Sequence, residues 1–248
     1  YDNLEYTKMC LESVVENTSY PNYELIIVDN GSKTETIDYF QAFVAQHDNV
    51  KLVLNAKNLG FAKANNQGFR KSRGETIVFL NNDTIVTPGW LARLLYHLQQ
   101  NPKVGMVGPV TNDIGNEAKI EVSYKDLDDI QAFAAYRAKD FSGETFNIKV
   151  LALYCCMISR ELFERVGGLD ERYGIAFFED DDLAMKLGEK GFALLCAEDV
   201  FIHHFHGVSL NKLSSEDYRQ IFDENRRKFE EKWGIKWQPH KYRQKGKT

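Results

Sequence analysis

Apolar residues in the first part of the chain fall in short unbroken runs, separated by stretches of helical spacing. "YELIIVDNGS" carries Leu25 to Val28 without a polar interruption before Asp29, Asn30 and Gly31 end the run. "VKLVLN" and "VGMVGPV" repeat the pattern, and "GETIVFLNNDTIVTPGW" climbs to Leu80 before Asn81, Asn82 and Asp83 arrive together. Between the runs, positions 34–46, 62–72 and the stretch "GWLARLLYHLQQ" after Pro88 have helical periodicity. A leading helix spans Tyr6 to Val15 and is stopped by Asn17 to Pro21. Continuous apolar strands alternating with helices predict an α/β domain with a mostly parallel sheet covered on both faces. Ligands gather at the carboxyl ends of such strands. Here those ends are Asp29, Asn55 and Asn81 to Asp83, so three strands hand over to small polar residues at one edge.

The second half is less regular. It contains a predicted amphipathic helix in "LDDIQAFAAYRAKDF", a long apolar strand in "VLALYCCMISR", a helix in "ELFERVGG" and a last helix over 215–233. No Pro- or Ser-rich linker interrupts the chain, which predicts one domain over 1–240. Its halves are 1–110 and 111–240, and 241–248 forms a basic tail or linker. The chain enters its first helix with no strand before it. That predicts truncation just after a first strand, or a larger parent protein with other domains.

Bulk properties narrow the function classes. The 248 residues carry a net charge of −5, without the basic footprint of a nucleic-acid binder. Cys10, Cys155, Cys156 and Cys196 lie in apolar settings and lack the spaced pairs of a zinc site, so they read as buried free thiols. That favours a reducing compartment: the cytoplasm, or the inner face of the membrane for a peripheral protein. No apolar run approaches the length of a membrane span.

Two clusters carry candidate chemistry. "FFEDDDLAMKL" sets Glu179, Asp180, Asp181 and Asp182 before a helical pattern. One or two carboxylates suffice to cap a helix and complement its dipole. Four adjacent like charges call for a compensating cation or substrate group, and the apolar wall of Phe177 and Phe178 raises a neighbouring carboxyl toward general-base duty. "FIHHFHG" sets His204 and His206 on one strand face and His203 on the other. Imidazole together with Asp83 suits Mn²⁺ or Mg²⁺ when a diphosphate completes the shell. "VDNGS" is a tight turn, or a place for Asp29 to accept hydrogen bonds from a base or ribose. "NLGFAKANNQGF" is a closely packed helix start, or a helix N-terminus aimed at phosphate; it contains neither GxGxxG nor a Walker lysine.

Taken in order, "CLESVVENTSYPNYELIIVDNGS", "NLGFAKANNQGF", "IVFLNNDTIVTPGW", "GGLDERYGIAFFEDDDLAMKLGEKGF" and "VFIHHFHGVS" resemble the family 2 glycosyltransferases of the GT-A fold, across nearly the whole chain. The variants "VDN", "GFAKANN" and "LNND" resemble bacterial surface-polysaccharide and rhamnosyl-type members. The resemblance implies inverting transfer of a sugar from a UDP- or dTDP-type donor to a hydroxyl of a glycan or lipid-linked acceptor. It implies donor contacts at Asp29, Asn30, Asn58, Lys63, Asn81 and Asn82, with Asp29 on the base. Asp83 falls on the last aspartate of the DxD motif and, with His204, is the implied ligand set for Mn²⁺ or Mg²⁺. Asp180 falls on the family's general base. Glu179, Asp182, His203, His206 and Trp90 form a second tier; Trp90 could stack on a sugar ring, but a helix-start tryptophan in the core is its plainer reading. Asn81 and Lys186 depart from the usual aspartate and arginine. Two rival readings are a catalytically silent nucleotide-sugar or glycan-binding module of a multidomain protein, and a nucleotidyltransferase on a related fold. Retention of Asp83, Asp180 and His204 opposes the first.

Overall fold

The computed structural model describes residues 2–205, 207 and 214–243. In chain order the elements of the first half are α1 (Leu4–Asn17), β1 (Leu25–Asp29), α2 (Thr34–Ala45), β2 (Val50–Leu54), α3 (Phe61–Lys71), β3 (Thr76–Leu80), β4 (Thr84–Ile85), α4 (Trp90–Gln99) and β5 (Val104–Val110). The second half adds α5 (Ile130–Asp140), β6 (Thr145–Asn147), β7 (Cys155–Ser159), α6 (Arg160–Arg165), α7 (Glu179–Glu189), β8 (Ala193–Phe201), β9 (His203–His204) and α8 (Ser215–Trp233). The α/β class read from the periodicity is the observed one.

Strand direction is where the pattern and the structure part. The main sheet has the order β3-β7-β5-β8-β6. β5 and β8 are parallel, but β7 runs antiparallel between β3 and β5, and β6 closes the edge antiparallel to β8. The sheet is therefore mixed. An unbroken apolar run reports burial on both faces, and it reads the same in either direction. Cys155 to Ile158 are all buried, so β7 gave no hint that it inverts. β1 and β2 pair in parallel as a two-stranded unit beside this sheet.

Helices tie the two sheets together. On α1, Leu11 packs with Ile27 and Phe40 while Val14 reaches the main core. α3 lies over β1 so closely that a Cβ on Gly68 would stand 3.1 Å from the Val28 side chain. The main core runs through Leu94, Met106, Met157, Phe163, Leu183 and Phe201, each at most 1% exposed. Trp90 belongs to that core. It is 4% exposed and its indole N–H donates to Thr18 Oγ1 at 3.0 Å. An aromatic ring held there has no face for a sugar, so Trp90 is the core residue its helix-start position suggests, and it leaves the second tier. All four cysteines are buried free thiols. No helix among the described residues is long and apolar enough to cross a membrane.

A short antiparallel ladder positions the chemistry. β4 follows directly on Asp83 and pairs with β9, Thr84 opposite His204 and Ile85 opposite His203. Phe205 N–H then donates to the Asp83 carbonyl at 2.9 Å. The loop after β3 is thereby stitched to the histidine segment from far along the chain.

Candidate active site

Asp29 ends β1 at 2% exposure. One carboxylate oxygen accepts the N–H groups of Gly31 and Ser32 at 3.2 and 3.0 Å. The other, Oδ1, is buried and has no hydrogen-bond partner among the described residues. A buried acceptor left this way is costly, so Asp29 is preset for a donor group of a ligand. Asn30 and Asn58 serve a different end. The Asn30 amide donates to Asn58 Oδ1 and the Gly60 carbonyl, and its oxygen accepts from Leu59 N–H and Asn55. Asn58 Oδ1 also takes Gly60 N–H. Asn30 and the Asn58 oxygen are spent on shaping the loop into α3.

That loop is pressed against the approach to α7. Gly60 adopts φ +89°, and a Cβ there would lie 1.9 Å from the Gly174 carbonyl oxygen. Phe61 N–H donates to the Ile175 carbonyl at 3.2 Å. The first N–H of α3 is thus taken by a protein carbonyl, and the closely packed helix start is the one of the two readings that this contact supports. Lys63 is exposed on the first turn. Asn66 clamps the "GGLDE" loop through Leu169 N–H, the Leu169 carbonyl and Glu171. The motifs in this region are joints between segments more than donors of chemistry.

The polar end of β3 divides three ways. Asn82 turns away and donates its amide to Thr7 Oγ1 at 2.7 Å. Asn81 is half-buried; its backbone bonds to Tyr154 and Thr84, and its side-chain amide makes no hydrogen bond among the described residues. Asp83 is 6% exposed, and its Oδ1 lies 3.4 Å from His204 Nε2 without a hydrogen bond. The imidazole is held from behind. Its Nδ1 lies 3.0 Å from the Asp113 carbonyl, an acceptor that requires Nδ1 to carry the proton. The ring stacks on Tyr154, and Asn112 bonds both its backbone N–H and carbonyl. Nε2 therefore faces the carboxylate, the orientation a metal ligand needs. A carboxylate oxygen and an imidazole nitrogen suit Mn²⁺ or Mg²⁺. No third His, Cys, Asp or Glu joins them among the described residues, so an ion held here would take most of its shell from ligand and water.

The other histidines separate cleanly. His203 faces the opposite side, 2.5 Å from the Tyr124 hydroxyl, and burial pushes its pKa down to about 4. It is a core residue, which removes it from the second tier. His206 lies outside the described residues.

At the acidic cluster, tertiary contacts sort four neighbours into distinct jobs. Phe177 and Phe178 precede α7 with φ +75° each, a left-handed pair that costs roughly 1–2 kcal/mol per residue. Packing holds them there. Phe177 lies against Tyr218 and Phe222, and Phe178 against Phe229 and Trp237. Asn225 on α8 donates to the Tyr173 and Ala176 carbonyls at 2.6 and 2.7 Å. Asp182 is fully buried; Tyr173, Lys232 and Trp233 donate to one oxygen and Lys186 sits 3.3 Å from the other. It is structural, contrary to its place among the candidates. Asp181 is held by Trp237 and His240. Asp180 accepts only the N–H of Asp181 among the described residues and keeps partial exposure. Burial first, and then the Asp181 charge, push its carboxyl up to about 7.

Glu179 is buried with Oε2 lacking a hydrogen-bond partner among the described residues. Burial, and then the Asp180 charge, raise it from 4.5 to about 8. The folded state therefore holds this proton over a pH range in which the unfolded chain has released it, and stability falls as pH rises from about 4.5 to about 8. Glu179→Gln should raise the melting temperature by about 4–8 °C at pH 8.5, on the order of 2 kcal/mol. At pH 4.5 it should change little. Thermal denaturation at both pH values checks this; an equal shift at both excludes a raised carboxyl.

Asn112 and the contacts of the C-terminal segment were not anticipated. Asn112 could have been found, because it lies just past the carboxyl end of β5, the same edge at which Asp29 ends β1. Nothing local marks Trp237 or His240.

The sequence model described as glycosyl transferase family 2 matches residues 1–167. The O-antigen biosynthesis protein RfbC of Myxococcus xanthus is 27% identical over 225 residues, covering 82% of this chain. The chain spans 16% of the length of that relative. Among solved structures, GalNAc-T7 with UDP, GalNAc and Mn²⁺ superposes with a TM-score of 0.66 at 17% identity, covering 82% of this chain and 41% of that one. The mannosyltransferase PcManGT of Pyrobaculum calidifontis, in complex with GDP-Man and Mn²⁺, gives 0.61 at 22% identity, covering 82% and 54%. These likenesses establish the GT-A fold.

Proposed function

The chain belongs to glycosyl transferase family 2 and is a glycosyltransferase, and from that premise we propose inverting transfer of a sugar from a UDP- or dTDP-sugar to a hydroxyl of a glycan or lipid-linked saccharide. The observation that carries the donor side is the pair Asp83 Oδ1 and His204 Nε2, 3.4 Å apart, with the imidazole oriented through its other nitrogen. These two residues would hold Mn²⁺ or Mg²⁺, which when bound offsets charge on the departing diphosphate. Asp29 Oδ1 accepts a hydrogen bond from the nucleoside, and the Asn81 amide is available to the donor.

Asp180 acts on the acceptor. Its carboxylate takes the proton of the acceptor hydroxyl as that oxygen forms a bond to the anomeric carbon. The bond from that carbon to the phosphate oxygen breaks, and its electron pair leaves with the nucleoside diphosphate. Attack from the face opposite the leaving group inverts the centre. One carboxylate suffices, because no glycosyl-enzyme forms. A role in bacterial cell-surface polysaccharide synthesis is supported by the name of the Myxococcus relative.

Calorimetric titration of the chain with UDP-, dTDP- and GDP-sugars, with and without Mn²⁺, tests the donor side. One nucleotide class should bind, and bind at least about tenfold tighter with the ion. Binding of equal strength without it would remove the metal from this reading.

A further inference from the structure

After α8 the chain turns back through Gly234, whose φ is +64°, and runs as a strap across the acidic end of α7. Trp237 is its anchor, packing edge-on against Phe178 and Phe222 at 5.5 Å. Its indole N–H donates to Asp181 Oδ1 at 3.0 Å. His240 stands edge-on to Trp237 and sets Nε2 3.3 Å from Asp181 Oδ2. Arg243 fixes the far end, with Nη1 2.8 Å from Glu198, Nε donating to the Glu117 carbonyl, and the guanidinium over the Phe146 ring. Both oxygens of Asp181 are thus occupied by a segment that begins more than fifty residues later. The strap and α7 both lie outside the residues matched by the family model.

We propose that His240 is a positioning residue for the transfer reaction: as an imidazolium it pins Asp181, which leaves Asp180 as the free carboxylate, and it supports the ionised form of Asp180. The groups facing His240 are acidic from two sides, Asp181 and Asp180 on α7 and Glu117 on the loop after β5. The hydrogen bond to Asp181 is the largest influence holding its proton on, ahead of burial, which opposes it. In return the His240 charge lowers the Asp180 carboxyl against the push of burial and Asp181. Without the strap's charge, Asp180 would face a freed anionic neighbour and hold its own proton to higher pH.

The inference rests on Asp180 as the base, and two measurements separate the claims. Histidine side-chain NMR of the full chain, free of substrate, should show His240 titrating above the ordinary 6.5, and falling back in Asp181→Asn. In the transfer assay, the acidic limb of the pH–rate profile should move up by about one pH unit in His240→Ala and His240→Gln. His240→Lys should bring it back toward the wild type, and donor affinity should stay unchanged in all three. A limb that stays in place in His240→Ala, or an ordinary titration of His240 in the wild type, overturns the role of His240. An Asp180→Asn chain that still transfers overturns the assignment of the base, whichever way His240 behaves.

Discussion

Asp180→Asn should lower sugar transfer by about 10²–10⁴-fold while the donor binds as in the wild type. The amide matches the carboxylate in shape and still accepts the N–H of Asp181, so the start of α7 is undisturbed. What it loses is the capacity to take a proton. The sign of the pH dependence follows from the same group. Only the ionised carboxyl is a base, and burial raises its pKa to about 7. The wild-type rate should therefore climb as pH rises to about 7 and level off above it, and Asp180→Asn should show no such limb. Asp182→Asn provides the contrast. Its cost should appear as lost stability, because Lys232, Trp233 and Tyr173 all converge on that buried side chain. Steady-state kinetics from pH 5.5 to 9, beside a donor-binding isotherm, measure both effects. Near-normal transfer by Asp180→Asn would transfer the role of base to another group.

The second large effect is expected at Asp83. In Asp83→Ala, the tightening of nucleotide-sugar binding by Mn²⁺ should disappear, and affinity should settle at the metal-free level of the wild type. The reason is local: His204 Nε2 is aimed at Asp83 Oδ1, and no third protein ligand among the described residues would keep the ion in place. His204→Ala should lose most of the same effect, about 10–100-fold in metal affinity. Asp29→Ala separates nucleoside from diphosphate recognition. It should weaken binding equally with and without the ion, since its open Oδ1 is the atom proposed for the nucleoside. Isotherms for the three variants across a Mn²⁺ series decide the matter. If Asp83→Ala keeps the full metal dependence, the carboxylate is not a ligand.

Much of this site was legible in the chain, and the illegible part has a common cause. The polar strand ends pointed to Asp29 and Asp83 because the carboxyl end of a buried strand is a local property. The same rule overcounted. Asn30, Asn58 and Asn82 also sit at strand or loop ends, yet the Asn30 amide donates to Asn58 and Gly60, the Asn58 oxygen accepts from Asn30 and Gly60, and the Asn82 amide donates to Thr7. Residue type does not reveal whether an amide is spent within the protein or left for a ligand.

By itself the sequence determined the alternation of helices and apolar strands in the first half, the apolar runs that become the sheet, and the four acidic residues at the start of α7. These follow from periodicity and composition within a dozen residues. The tertiary structure alone decided strand direction, since an apolar run carries none. It decided which histidine faces Asp83, because the β4–β9 register aligns His204 with Thr84, and a slip of one residue would present His203 instead. It also decided which carboxylate stays free. Lys232, Trp233, Trp237 and His240 arrive from beyond α7 to occupy Asp182 and Asp181, and only folding brings them within hydrogen-bond reach.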